Sequence, residues 1–472
     1  MLKLQNGSDI RGVAVEGVEG ENVNLTPTIA RQIGCAFVSW LEKKSGVPAY
    51  ELKIGVGRDS RVSGPELSDA LIDGMLSGGA TVINCGMATT PAMFMSIVFP
   101  ETSFHGSAMI TASHLPYNRN GIKFFDAEGG LEHDDITEIL NLAGMLNPVR
   151  NNYAAKVFDL LPLYASYLKG QIAQALGGGT KPLDGLHIVV DSGNGASGFF
   201  VDQILQPLGA DTTGSQFLEP DGMFPNHIPN PENKQAMEAI RTAVLSDGRE
   251  VNRDSIIAMI AAILAPEYPG STIITDSVTS DRLTYFLEKE LGLKHLCYMR
   301  GYKNVINKQK ELNAAGTVAP LAMETSGHGA LKDNYFLDDG AFLAVKLVIA
   351  LAKAAKEGKK LDSLIEKLPP LVEEGEYRFK INDENFKEYG KSVLEEFKKR
   401  AEAAGYEMPH SYEGVRLSFK GEDVQGWILL RLSLHDPVMP MNIEGGRKGD
   451  LAKLIEIAKK LTDGFDKLDR KF

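Results

Sequence analysis

Apolar residues recur along this chain with two alternating periods. Long stretches repeat every three to four residues, and short runs are apolar almost throughout. In residues 27–43, Ile29, Ile33, Phe37, Trp40 and Leu41 fall on one stripe of a helix. Comparable stretches predict helices at 65–78, 134–145, 160–176, 233–244, 253–265, 280–291 and 341–358. Between them, runs at 52–56, 186–190 and 271–275 predict strands, and this alternation argues for an α/β architecture. Each of these three runs ends in a loop bearing an aspartate: GRDSRVSG (57–64), DSGNGASG (191–198) and DSVTSDR (276–282). A helix, a glycine and another short strand follow each time, a weak internal repeat that suggests three similar α/β units in series. After Pro369-Pro370 the pattern changes. Alternating strands at 377–381, 415–419 and 427–434, with helices at 386–404 and 449–467, predict an α+β domain with antiparallel pairing.

Length and charge narrow the picture. At roughly 150 residues per domain, 472 residues make three or four domains. The formal net charge is −12 and no basic block occurs, which argues against nucleic acid or an anionic membrane surface as partner. A few arginines in a cleft can still bind a small anion. The windows 255–266 and 341–355 are too short, or carry lysine, to span a bilayer. Cys35, Cys85 and Cys297 are odd in number and far apart, so a disulfide framework and a zinc site are both disfavoured. With no apolar leader in MLKLQNGSDIRG, a cytoplasmic location is expected.

The most informative stretch is MITASHLPYNRNGIKFF (109–125). An apolar strand delivers Ser113 into a loop of small and turn-forming residues, with His114, Arg119 and Lys123 nearby. That setting suits a serine that carries and returns a phosphoryl group. On spacing alone a polar hairpin fits equally well. Glu324-Thr325-Ser326-Gly327-His328 offers a carboxylate, a hydroxyl and an imidazole that could hold vicinal sugar hydroxyls, though a helix-capping turn is the commoner meaning. Arg431-Leu432-Ser433 could clamp a phosphate, or simply end a strand. Arg11, on an early loop, means little alone.

Together these segments resemble the α-D-phosphohexomutase family of phosphomannomutases, phosphoglucomutases and phosphoglucosamine mutases, in order and over essentially the whole chain. TASHLPYNRNGIKFF is similar to that family's phosphoserine loop, TASHNP followed by NGxK. The resemblance implies that Ser113 is phosphorylated, with Arg11 and Lys123 matching the positive groups around it. Glu324, Ser326, Gly327 and His328 match the sugar loop GExSGH, with Met323 where its first glycine stands. Arg431 and Ser433 match the phosphate loop RxSxTEP, with His435 and Asp436 replacing threonine and glutamate. Gly301-Tyr302-Lys303 is a weaker match to a basic position of the third domain. The resemblance implies three related mixed α/β domains in series plus a C-terminal α+β domain around a central cleft. On this chain the domains would cover 1–160, 161–250, 251–368 and 369–472. It also implies interconversion of hexose 1- and 6-phosphates of glucose or mannose through a phosphoserine and a 1,6-bisphosphate. Mg²⁺ and activating glucose 1,6-bisphosphate would be the cofactors, and small sugar phosphates the ligands.

One departure is serious. The family's metal loop DxDxDR, three carboxylates at alternate positions for one hard cation, occurs nowhere in these 472 residues. It belongs upstream of a turn like Asp247-Gly248-Arg249-Glu250, and here the predicted helix at 233–244 runs almost straight into that turn. The second unit therefore reads as shortened by a strand and the loop. Aligned on Arg282, DSVTSDR offers only Asp281 at the three ligand positions, beside Ser277 and Thr279, and fits the start of the third domain better. A phosphate on Ser113 is the one metal contact left visible. Thr325 matches neither the glucose/mannose nor the glucosamine type, so phosphoglucosamine mutase is the runner-up. A sugar-phosphate binder without turnover is the alternative from another class. A dinucleotide-dependent dehydrogenase, suggested by Gly193-Asn194-Gly195-Ala196-Ser197-Gly198 with Asp211 beyond it, ranks last.

Overall fold

The computed structural model describes residues 2–149, 154–230, 233–234, 236–238, 251, 253–433 and 436–472. The chain divides into two units: Met1–Arg249 with Leu351–Lys356, and Glu250–Ala350 with Glu357–Phe472.

In the first unit, the helix Pro27–Ser45 starts where the Thr26 hydroxyl accepts from the Ile29 amide at 3.3 Å. Ile33, Phe37, Trp40 and Leu41 are buried as the periodicity predicts, whereas Ile29 only packs at the edge of the core. They cover a mixed sheet of β1 (Gln5–Asn6), β2 (Asp9–Val13), β3 (Lys53–Arg58), β4 (Thr81–Met87), β5 (Gly106–Ile110), β6 (Arg119–Asp126), β7 (Gly129–Gly130) and β8 (Lys156–Val157). Its order is β1-β2-β6-β5-β3-β4-β8, with β7 on β6. Because β3 and β5 run parallel, the loops after them, 59–63 and 111–118, leave the sheet at the same edge. β6 returns antiparallel to β5 and also pairs with β2, which sets Arg11 opposite Gly121 and Lys123 opposite Met109.

The strand predicted at 186–190 does not form. Only isolated bridges occur there, His187 with Asp211 and Asp191 with Gln216. Ile188 N donates to Asp211 O at 2.8 Å, and Gln216 N to Val190 O at 2.9 Å, so the described pairing runs along one side only. Ile188, Val189 and Val190 are half-buried. Their β-branched pattern suits a strand paired on both sides; among the described residues the second neighbour is lacking. The turn at 247–250 and residues 239–244 of the predicted helix lie outside the described residues.

The second unit contains two sheets. β9 (Thr272–Asp276), β10 (Lys294–Tyr298) and β11 (Leu321–Met323) are parallel, and β12 (Gly329–Leu331) and β13 (Leu337–Asp338) extend them antiparallel. The helix predicted over 280–291 splits into Asp281–Tyr285 and a π-helical turn at Phe286–Glu290. The C-terminal sheet is wholly antiparallel, as the alternation predicts: β14 (Glu373–Ile381), β15 (Val415–Lys420), β16 (Gln425–Leu430), β17 (Val438–Gly445) and β18 (Leu468–Asp469). The last predicted helix is shorter, Asp450–Leu461. No helix among the described residues is long and apolar enough to cross a membrane.

A buried polar seam joins the two sheets of this unit. Ser280 Oγ donates to Glu444 Oε1 at 2.5 Å, and Arg282 pairs with Asp254 at 3.3 Å. Arg416 donates to Ser277 O and Thr279 O, pairs with Asp281 at 2.9 Å and lies 4.0 Å over the Trp427 ring. Burial, with Asp254 adding to it against the Ser280 hydrogen bond, pushes the Glu444 carboxyl up to about 7. A carboxyl raised in the folded state binds its proton more tightly there than in the unfolded chain. Its contribution is therefore present at low pH and lost as pH rises from about 4.5 to about 7. The change is about 3 kcal/mol. Glu444→Gln is expected to flatten that part of the stability-pH curve and raise the melting temperature at pH 8, checked by denaturation at several pH values.

Candidate active site

Two groups of chemistry-bearing residues emerge, one in each unit. In the first, Ser113 stands on the loop between β5 and β6, exposed, with φ +57. A left-handed serine is uncommon and is held here by local bonds. Its amide donates to Thr111 Oγ1 at 3.0 Å, and its hydroxyl lies 3.3 Å from His114 Nδ1. Beneath the loop, Arg11 Nη1 donates to Thr111 O at 3.3 Å, and both Arg11 (3.0 Å) and Lys123 (2.9 Å) pair with Asp9 Oδ2. Burial would raise the Asp9 carboxyl, but Lys123 and Arg11 outweigh it and hold it below its ordinary range. Two cations around one carboxylate leave a net positive charge, which suits a phosphate on the neighbouring loop. Arg119 is turned to Glu21 in a bidentate pair, at 2.6 and 3.0 Å.

In the second unit, residues 324–328 form the turn between β11 and β12. Glu324 N donates to His328 O at 2.8 Å and Gly327 N to Glu324 O at 3.0 Å, with Gly327 at φ +95, where a side chain would be strained. Glu324 is buried and accepts from Gly301 N at 2.6 Å and Ser326 Oγ at 3.3 Å. Burial, then the charge of Asp276, raises its carboxyl. His328 Nδ1 lies 2.7 Å from Asp338 and its ring stacks on Tyr302 at 5.2 Å. That fixes the ring orientation. Lys303 stands, half-buried, in the first turn of the helix Tyr302–Ala314.

Arg431 follows β16, is 7 % exposed, and has a buried Nε with no hydrogen-bond partner. Its Nη1 lies 3.8 Å from Glu413, a carboxylate that also accepts from Arg300 N at 2.9 Å and from Ser277 Oγ. A buried guanidinium with unspent donors is suited to an incoming anion. Ser433 Oγ accepts from Asp436 N at 3.2 Å, so this hydroxyl also shapes its own loop; His435 lies outside the described residues.

The comparisons with known proteins decide what these groups belong to. Domains I, II and III of the phosphoglucomutase/phosphomannomutase description, all alpha/beta/alpha, match residues 2–144, 163–259 and 252–372. The chain belongs to this α-D-phosphohexomutase family. It is 30% identical to a phosphoglucomutase/phosphomannomutase of Thermococcus kodakarensis, covering 98% of this chain and 99% of that one. A Pseudomonas syringae phosphomannomutase/phosphoglucomutase is 28% identical over 94% of this chain and 92% of its own. The crystal structure of a Burkholderia thailandensis family protein superposes with a TM-score of 0.78 at 25% identity, covering 98% and 97% of the two chains. The Thermococcus alignment runs over 490 residues, more than the 472 here, so part of that relative has no counterpart in this phosphohexomutase. The three α/β domains in series and a further C-terminal domain are those the sequence predicts.

The family implies a metal-dependent mechanism, and the described residues of this phosphohexomutase do not fit that ion. No DxDxDR is present, and among the described residues no group of three His, Cys, Asp or Glu could hold a metal. The acidic loop DSVTSDR is spent on its own unit: Asp276 binds the Thr325 amide and hydroxyl, and Asp281 pairs with Arg416. Ser277 and Ser280 donate to Glu413 and Glu444. The glycine-rich 193–198 stretch is likewise no dinucleotide loop, for it follows no strand and leads into a π-helical turn at Phe200–Leu205.

Sequence reasoning missed Asp9, Asp59, Arg61, Arg300 and Glu413, and met Asp276 only in a loop it set aside as a substitute metal site. Asp59 and Arg61 lay in the quoted GRDSRVSG repeat, a usable signal; Glu413 has none. Thr325, whose mismatch left the substrate type open, has its hydroxyl on Asp276 Oδ2 at 3.0 Å. It ties the 324–328 turn down. Thr325→Val is expected to cost about 1–2 kcal/mol by leaving a buried carboxylate oxygen short of a donor, measured by urea unfolding.

Proposed function

We propose that this chain is a phosphohexomutase that interconverts the 1- and 6-phosphates of glucose or mannose through a phosphate carried on Ser113. The observation that carries the reading is the exposed, left-handed Ser113 above the Arg11–Asp9–Lys123 group. In the forward step the Ser113 Oγ–P bond breaks as a sugar hydroxyl oxygen bonds to phosphorus, giving the 1,6-bisphosphate. The hydroxyl proton passes to a base, for which His328, steadied by Asp338, is suited. The second phosphate then returns to Ser113. Arg11 and Lys123 offset the charge of the transferring group. Glu324 and Ser326 take sugar hydroxyls, Gly327 permits their turn, and Arg431, Ser433 and Lys303 hold the non-reacting phosphate. Glucose 1,6-bisphosphate would load the serine. Mg²⁺ would bind the Ser113 phosphate in a family member with the acidic loop.

Phosphoglucosamine mutase is the runner-up substrate class, and such an enzyme from Lactobacillus helveticus is 30% identical over 77% of this chain. A second reading, sugar-phosphate binding without turnover, is favoured by the missing carboxylate triplet and by the pairing of residues 186–190, one-sided among the described residues. Intact mass after incubation with glucose 1,6-bisphosphate separates them. A single added phosphate mapped to Ser113 supports the mutase. Binding of glucose 6-phosphate with no transfer supports the second reading.

A further inference from the structure

Ser113 does not hold its own conformation. The side chain that spans its loop comes from GRDSRVSG, a segment the activity above leaves without a task. Arg61 is 0 % exposed, and its guanidinium spends four hydrogen bonds on four carbonyls of one loop. Nη2 donates to Ser113 O and Leu115 O, both at 2.7 Å, and Nη1 to Pro116 O at 2.7 Å and Arg119 O at 3.0 Å. Nε lies 3.3 Å from Asp59 Oδ2, an ion pair without hydrogen-bond alignment. Asp59 carries the restraint onward: it accepts from Arg61 N at 3.0 Å and from Thr111 Oγ1 at 2.6 Å, and Thr111 Oγ1 in turn receives the Ser113 amide. Both the carbonyl and the amide of Ser113 are thus tied to the Arg61–Asp59 pair.

The guanidinium is also pinned from its other side. Its carbon lies 5.2 Å from the centre of the Phe224 ring. The segment bearing Phe224 approaches so closely that a Cβ on Gly222 would lie 2.4 Å from Ser60 O and from Val62 N. Only glycine fits there. A left-handed non-glycine residue persists only where its surroundings over-determine it, and a planar five-donor fork can satisfy several converging carbonyls at once.

We propose that Arg61 is the positioning residue for Ser113, fixing the outline of the 113–119 loop so that the serine hydroxyl meets the transferring phosphate in one geometry. The role as stated rests on Ser113 being the phosphate carrier; the fixing of the loop does not. A lysine at this position offers three donors from one point and cannot span carbonyls at both ends of the loop.

The test uses the full chain and its Arg61→Lys variant. Hydrogen exchange of the amides at 113–121 is expected to rise about tenfold or more, with the β3 amides at 53–58 unchanged. The rate of phosphate transfer from glucose 1,6-bisphosphate to Ser113 should fall about 100-fold, while the half-saturating bisphosphate concentration moves less than about threefold. Unchanged exchange in the loop, or an equal rise throughout the first unit, would overturn the proposal. If Arg61→Lys does not fold, Phe224→Leu keeps the guanidinium but removes the ring beneath it. Faster exchange confined to 113–121 then supports the role, and no change overturns it. Should the unaltered chain take no phosphate at all, the mutase reading fails, and the exchange result still decides whether Arg61 fixes the loop.

Discussion

Ser113→Ala is expected to abolish hexose-phosphate interconversion, lowering the rate by at least about 10³-fold. In the mechanism proposed above this hydroxyl carries the phosphoryl group between the two half-reactions, and no neighbour on the loop is placed to replace it. His114 Nδ1 is 3.3 Å away, and Arg61 already spends its donors on the loop's carbonyls. Affinity for glucose 6-phosphate should change less than about threefold, because the residues assigned to the sugar and the fixed phosphate lie elsewhere in the chain. Turnover by progress curve and affinity by titration calorimetry give the two readouts. Unchanged turnover would remove Ser113 from the mechanism.

The second large effect is expected at Arg431. Its guanidinium is 7 % exposed, Nε has no partner, and Glu413 is 3.8 Å from Nη1. Burial lowers its pKa against the opposing pull of Glu413, so the guanidinium already bears a desolvation cost that the proposed phosphate would offset. Arg431→Ala should weaken glucose 6-phosphate binding by about 2–3 kcal/mol, roughly 30- to 150-fold. Arg431→Lys should recover only part of it, since a point charge replaces a fork. Loading of Ser113 from the bisphosphate should suffer less than the affinity for monophosphates. Calorimetry with glucose 6-phosphate checks the first expectation and intact mass the last.

How far the sequence reaches depends on the range of the interaction involved. Helices such as Pro27–Ser45 are legible because a 3.6-residue stripe and a Thr26 cap are local facts. The same local logic fails at residues 186–190. A β-branched run reports a wish to be buried, but a strand also needs neighbours, and the described residues supply one on a single side. The TASH segment announces Ser113, and the Glu324–His328 turn is visible through Gly327, whose positive φ only glycine adopts easily. Asp9, Arg300 and Glu413 are invisible because their roles arise from register and from residues far apart in sequence. Asp9 matters since β2 pairs with β6 and so brings Lys123 to the carboxylate that also holds Arg11. Glu413 matters through Ser277, Arg300 and Arg431, none nearer than 18 positions along the chain. DSVTSDR shows the converse: a loop that looks acidic enough for a cation, yet turns its charged and hydroxyl groups to partners inside its own unit.

The most direct test of the central claim follows glucose 1-phosphate and mannose 1-phosphate by phosphorus NMR, with Mg²⁺ and a catalytic amount of glucose 1,6-bisphosphate present. Conversion to the 6-phosphates, lost in Ser113→Ala, is the result predicted here. It would mean that phosphoryl transfer proceeds without the family's three-carboxylate loop. A folded protein that binds glucose 6-phosphate yet converts neither sugar phosphate would contradict the account and leave a binding protein in place of a mutase.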